Sequence, residues 1–130
     1  MDYTLEKLEV YQLSEAFSDT VWDIVMSWDN FRKDTIGKQI TRSADSISVN
    51  IAEGYGRFYY KESKQFYFYA RGSLLETQAW LSKCKRRGII EITKAEELIA
   101  DAEKLLLKLN AFIKFISRSS IHNTPPSKPQ

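Results

Sequence analysis

The stretch Ser46-Ile-Ser-Val-Asn-Ile-Ala-Glu-Gly-Tyr-Gly-Arg57 supports two opposed readings, and the choice between them decides the fold. Ile47, Val49 and Ile51 alternate with polar residues as in a half-buried strand, after which Gly-Tyr-Gly would be a phosphate-cradling loop. At helical spacing the same letters end a long helix. Strand alternation holds for only these three apolar residues, whereas Ile36, Ile40, Ala44, Ile47 and Ile51 keep intervals of three and four from well upstream. The helix is therefore the better account. Gly54 and Gly56 are expected to end it, because a residue without Cβ takes the left-handed cap conformation at little cost. A dinucleotide-binding loop needs a third Gly and a preceding strand, and both are missing.

Working outward, Val10, Leu13, Phe17, Val21, Ile24 and Trp28 predict a first helix over about residues 8–28. Ser27-Trp-Asp-Asn-Phe31 breaks that pattern, and the second helix is expected over 34–56. Phe66, Ala70, Ser73, Thr77, Trp80 and Cys84 predict a third over 61–87, closed by Gly88 behind a run of cations that complements the helix dipole. Thr93-Lys-Ala-Glu96 matches a capping box. The fourth helix, over 93–117, has its expected seam at Ala95, Ile99, Ala102, Leu106, Leu109, Ile113 and Ile116, with Leu98, Leu105 and Phe112 as a second row beside it.

Helices of this length reach roughly 30–40 Å. Joined by short links they must run up and down, so the expected fold is all-α: an antiparallel up-and-down four-helix bundle over residues 1–117. Residues 118–130, which hold all three Pro, are expected to form a disordered tail. A 43% apolar chain of 130 residues can bury a continuous core. Cys84 is the only cysteine, so no internal disulfide forms. No apolar leader or membrane-length apolar run is present, so the expected location is the cytoplasm.

The net charge of +2 conceals an uneven distribution. Residues 1–30 carry Asp2, Glu6, Glu9, Glu15, Asp19, Asp23 and Asp29 against Lys7, a net of −6, whereas residues 61–90 reach +5. The two regions either neutralise each other or form opposed surfaces. Lys83, Lys85, Arg86 and Arg87 cluster at one end of the third helix. Arg57, Lys61 and Lys64 lie near its other end, with Phe58, Tyr59, Tyr60, Tyr67 and Tyr69 close in sequence. Cations attract phosphate and exposed aromatics stack on unpaired bases, so these seven cations are the candidate contacts for RNA or DNA. The alternative assigns the cations to the helix terminus and most of the aromatics to core or subunit interface.

On the second helix Gln39, Arg42, Ser46, Asn50 and Glu53 form a polar stripe short of lysines. Either this face is simply solvated, or Arg42, Asn50, Glu53, Ser73 and Glu76 form a semi-buried polar network that sets helix register or a subunit interface. A di-iron bundle would need Glu-x-x-His pairs, and the only histidine, His122, lies in the tail. No metal, cofactor or enzymatic activity is expected.

Gln39-Ile-Thr-Arg42-Ser-Ala-Asp-Ser46-Ile-Ser-Val-Asn50-Ile-Ala-Glu53-Gly54, with Ala70-Arg-Gly-Ser73-Leu-Leu-Glu76 and Leu8-Glu-Val-Tyr-Gln12, resembles the bacterial four-helix-bundle proteins encoded in intervening sequences of large-subunit (23S) ribosomal RNA genes. The resemblance spans nearly all of the chain except the tail. One departure is Ser48, where that family often has Pro; its absence should leave the second helix straighter. The resemblance implies a homopentamer. Through a similar retroelement accessory protein, it also implies contact with nucleic acid or with a protein partner, without implying an activity. The competing class is an adaptor or scaffold that recruits another protein through an apolar or acidic groove, such as the first helix.

Overall fold

The computed structural model describes residues 4–57 and 59–122. Four long helices account for most of them: α1 (Glu9–Met26), α2 (Lys38–Tyr55), α3 (Tyr60–Arg86) and α4 (Ile92–His122). A short 3-10 turn, Leu5–Lys7, precedes α1. The link from α1 to α2 is itself helical, a turn at Asn30–Arg32 followed by a π-helical segment at Lys33–Gly37. The chain is all-α, with no β-strand among the described residues.

Side-chain pairings set the directions of the helices. Ser48 near the end of α2 reaches Glu15 near the start of α1. Ser43 of α2 meets Thr77 of α3, and Gly54 lies against Tyr67. Arg71 of α3 bonds Asn110 of α4, while Lys85 pairs with Glu96. Lys108 of α4 returns to Glu9 of α1. Each neighbour is therefore antiparallel to the last, and α1 packs on α2 and α4 with α3 diagonally opposite.

Burial follows the expected period but not always the expected phase. The stripe of Ile36, in the π-helical link, and Ile40, Ala44, Ile47 and Ile51 of α2 is entirely buried. On α4 the buried row is Ala95, Leu98, Ala102, Leu105, Leu109 and Ile113, whereas Ile99, Leu106 and Ile116 are only half-buried. The expected seam is thus rotated by about one position. A helix wedged between two neighbours buries a stripe wide enough to include both rows, so Leu98 and Leu105 belong to this core rather than to a surplus face. On α3, Tyr67, Leu74 and Leu81 fill the core in place of Phe66, Ser73 and Trp80, which flank it.

Four helix ends depart from or refine the sequence reading. Gly88 is the residue of positive φ, at 68°, with Ile89 N–H donating to the Cys84 carbonyl at 2.9 Å and Gly88 N–H to the Lys85 carbonyl at 3.2 Å. That is the Schellman arrangement. Gly54 and Gly56 are not left-handed caps: α2 runs through Gly54, and Gly56 has φ −80°. Gly54 is needed for closeness instead, because a Cβ there would lie 2.6 Å from Tyr67 Cε1 and 3.0 Å from the Ser63 carbonyl oxygen. At α4, Glu91 and not Thr93 caps the helix, its carboxylate accepting from Thr93 N–H at 2.9 Å and Lys94 N–H at 3.4 Å. Those bonds hold the Glu91 carboxyl below the usual range. Glu96 is thereby released to pair with Lys85. The far end of α4 continues to His122, past the expected boundary at residue 117; the remainder of the expected tail, residues 123–130, lies outside the described residues.

Candidate nucleic-acid interface

A helix the length of α3 places its two ends about 40 Å apart, so the two basic clusters occupy opposite ends of the bundle. At the N-terminal end Arg57 and Lys64 already have partners. Arg57 pairs with Glu53 at 2.9 Å and lies 4.6 Å over the Phe66 ring. Lys64 and Arg71 sit over the Phe68 ring at 5.6 and 4.7 Å. Lys61 is exposed, Tyr67 is buried, and Tyr69 is held by Gln65 and edge-on to Phe66. Phe58 lies outside the described residues.

The C-terminal end is more open. Lys85 is engaged by Glu96, but Arg86 and Arg87 are exposed and Lys83 is half-buried. Lys83 and Arg87 line a cleft of about 1030 Å³ together with residues of the α1–α2 link. That link adds Phe31, which is 76% exposed, and Arg32, which is tied to Asp29 at 3.1 Å. Trp80 also lines the cleft. Sequence reading treated residues 27–31 only as a helix break; the available signal was a large aromatic in a polar turn.

The five residues proposed for a polar network separate into local groups. Arg42 and Glu76 pair across α2 and α3, and Glu76 also accepts the Trp80 indole N–H at 3.1 Å. Their side chains are 55% and 39% exposed. Asn50 donates to the Ser46 carbonyl one turn back, and Glu53 holds Arg57. Ser73 contributes its backbone carbonyl, which lies 2.8 Å from Thr77 Oγ1. The buried polar contact between α2 and α3 lies outside the expected network, between Thr77 of the expected α3 stripe and Ser43: Thr77 Oγ1 and Ser43 Oγ, both fully buried, are 2.8 Å apart.

A family model for the 23S rRNA-intervening sequence protein matches residues 6–111, from the first 3-10 turn through most of α4. The chain belongs to this family. It is also similar to a crystal structure at 1.70 Å of a protein with unknown function from the S23 ribosomal protein family of Bacteroides thetaiotaomicron. The TM-score is 0.73, with 24% identity over 81% of this chain and 98% of that one, a likeness that shows the fold alone. No curated protein matches the chain.

Most of the acidic first quarter lies on α1, apart from the basic α3, although Asp29 lines the same cleft as Lys83 and Arg87. The acidic α1 packs on α2 and α4, away from α3. Glu15, Asp19 and Asp45 face one another, and burial, then the charges of Asp19 and Glu15, push the Asp45 carboxyl above its ordinary value. Ser48 donates to Glu15 at 2.7 Å, within an α2 that is helical throughout from Lys38 to Tyr55. Cys84 is fully buried, and desolvation pushes its thiol up to about 11 despite the opposing field of Arg87. Among the described residues no group of three or more His, Cys, Asp or Glu is placed to hold a metal ion, and no helix is long and apolar enough to cross a membrane.

Proposed function

We propose that this chain is a non-catalytic bundle that assembles as a homopentamer and binds nucleic acid, RNA foremost, through the basic end formed by Lys83, Arg86 and Arg87 with Arg32 nearby. The observation that carries this reading is the open cleft lined by Lys83, Arg87 and the exposed Phe31. Cations without full internal neutralisation attract phosphate, and a ring repeats a weak site with gain of avidity. The pentamer follows from the family resemblance. Exposed apolar residues on adjacent helices, Phe68 and Leu75 on α3 and the 72% exposed Leu107 on α4, support self-association.

Fluorescence anisotropy with labelled RNA across a salt series tests the binding. Log K should fall linearly with log salt concentration. Replacing Lys83, Arg86 and Arg87 together by Glu should abolish most binding and flatten the slope by about 2 for single strands, roughly 0.7 for each phosphate no longer neutralised. Absence of binding at low salt, or an unchanged triple variant, overturns the RNA reading. Light scattering should give five times the mass of one chain; a monomer mass overturns the assembly.

A second reading rests on the acidic face of α1, where Trp22 and Met26 are half exposed beside Asp19 and Asp23. Such a surface suits a basic protein segment, making the chain an adaptor. Capture of a protein from host lysate that is lost on replacing Asp19 and Asp23 by Lys, with no RNA retained, favours it.

A further inference from the structure

Phe31 sits where an aromatic ring is costly unless something covers it. It is 76% exposed, yet the turn carrying it is held at several points. The Asp29 carboxylate accepts the Arg32 backbone N–H at 2.9 Å through one oxygen and the Arg32 guanidinium at 3.1 Å through the other. Thr35 Oγ1 donates back to the Phe31 carbonyl at 2.7 Å. The π-helical segment follows at once, a rare form of helix frequently found at functional sites. The ring is therefore presented from a braced turn.

The charges around the cleft are sorted in a way that favours one ligand class. Asp29 is matched by Arg32, and Glu76 by Arg42 and the Trp80 indole. Lys83 and Arg87 line the same cleft as Phe31, and with Arg32 they outnumber the lining carboxylates Asp29 and Asp34 by three to two. Cations suit a phosphate, and an aromatic face suits a base. The cleft volume of about 1030 Å³ is ample for a nucleotide. A paired base is stacked inside its duplex, and the deep, narrow major groove of A-form RNA is closed to side chains, so only an unpaired base can lie on a projecting phenyl ring.

We infer that the cleft between the α1–α2 link and the C-terminal end of α3 is a site for an unpaired nucleotide, its base stacked on Phe31 and its phosphate held by Lys83 and Arg87. This rests on the nucleic-acid reading above and adds that the ligand is single-stranded.

The test uses the full chain with a 12-nucleotide RNA of mixed sequence, the same strand as DNA, and the RNA annealed to its complement, each with 2-aminopurine inside and a terminal fluorophore. Phe31→Ala should weaken single-strand binding about 5- to 150-fold and remove the 2-aminopurine quenching that marks stacking. Duplex binding should stay within about twofold, and Phe31→Tyr should retain both. Replacing Lys83 and Arg87 by Glu should weaken single strands and duplex alike. If the wild type binds neither probe, the nucleic-acid reading itself fails. If the charge variants lose binding but Phe31→Ala leaves single strands and quenching intact, the base site alone is overturned. A changed oligomer mass in Phe31→Ala overturns it too, assigning the ring to a contact between copies. Equal affinity for RNA and DNA strands supports a base-and-phosphate site, and binding confined to the duplex overturns it.

Discussion

Replacing Gly54 by Ala sets two physical effects against each other, and the distances decide which wins. Ala is a better helix former than Gly by about 1 kcal/mol, so in an open helical position the substitution stabilises. At Gly54 the new methyl carbon would stand 2.6 and 2.9 Å from two ring carbons of Tyr67 and 3.0 Å from the Ser63 carbonyl oxygen. Ordinary carbon contacts are about 3.5–4.0 Å, so the overlap with the ring is about 1 Å. The Tyr67 ring is only 1% exposed and lies edge-on to Phe112, 5.0 Å between centroids, so it cannot move without displacing another core side chain. Ser63 presents backbone, which yields less readily. Overpacking of this kind costs about 1–3 kcal/mol, here toward the upper end, leaving a net loss of about 2 kcal/mol. For a chain of this size that is a fall in Tm of about 8 °C. Gly72, in the middle of α3, supplies the control: nothing lies within 4 Å of its added Cβ, so Gly72→Ala should raise Tm by about 4 °C. Thermal unfolding followed by circular dichroism at 222 nm reads both. A Gly54→Ala variant as stable as wild type, or both variants moving in the same direction, would refute the close-approach reasoning.

Two further outcomes follow from the packing. Thr77→Val removes the hydroxyl that meets the buried Ser43 across the helices, leaving Ser43 only its bond to the Ile40 carbonyl, and should cost about 1–2 kcal/mol in urea unfolding, whereas Arg42→Ala, breaking a pair that is 55% and 39% exposed, should cost less than about 1 kcal/mol; the reverse order would return the register-setting role to the ion pair. Because burial raises the Cys84 thiol to about 11, the unfolded chain releases that proton from near pH 8.5 while the folded chain retains it. Stability should therefore fall by up to about 1.4 kcal/mol per pH unit between roughly pH 9 and 10 on account of this thiol, and Cys84→Ala should reduce the slope whatever its effect at neutral pH, leaving the part that the buried Tyr67 hydroxyl contributes as pH nears 10. An identical slope in the variant would place the thiol's titration elsewhere.

Much of the bundle was legible because helical periodicity is a local property. The stripe from Ile36 to Ile51 was readable to the residue, and Gly88 with its preceding cations was readable as a terminus because every group in that cap lies within a few positions of the others. Phase was harder. On α4 both Leu98 and Ile99 keep helical spacing, and which row faces the centre depends on where two neighbouring helices lie. Gly54 misled for a related reason: its partner is Tyr67 on the next helix, so a glycine required by an approaching ring looks, in sequence, like a glycine that ends a helix. Thr93 and Glu91 are both competent to cap α4, and the carboxylate wins by starting the helix earlier and accepting two backbone N–H groups. The candidate site was half visible. The cations of Lys83 to Arg87 stand out as a cluster, but Phe31 and Arg32 join them only when α1 turns back along α2.

The amino-acid sequence alone determined that this chain makes long amphipathic helices, that they are few and closely linked, and that its charge is divided between an acidic beginning and a basic third quarter. These are sums over neighbouring residues, and spacing and composition carry them completely. Tertiary structure decided which apolar row became core, which glycine had to stay bare, which hydroxyls met in the dark between α2 and α3, and which exposed aromatic came to share a cleft with two cations. Those depend on distances between residues tens of positions apart, and such distances exist only once the helices have packed.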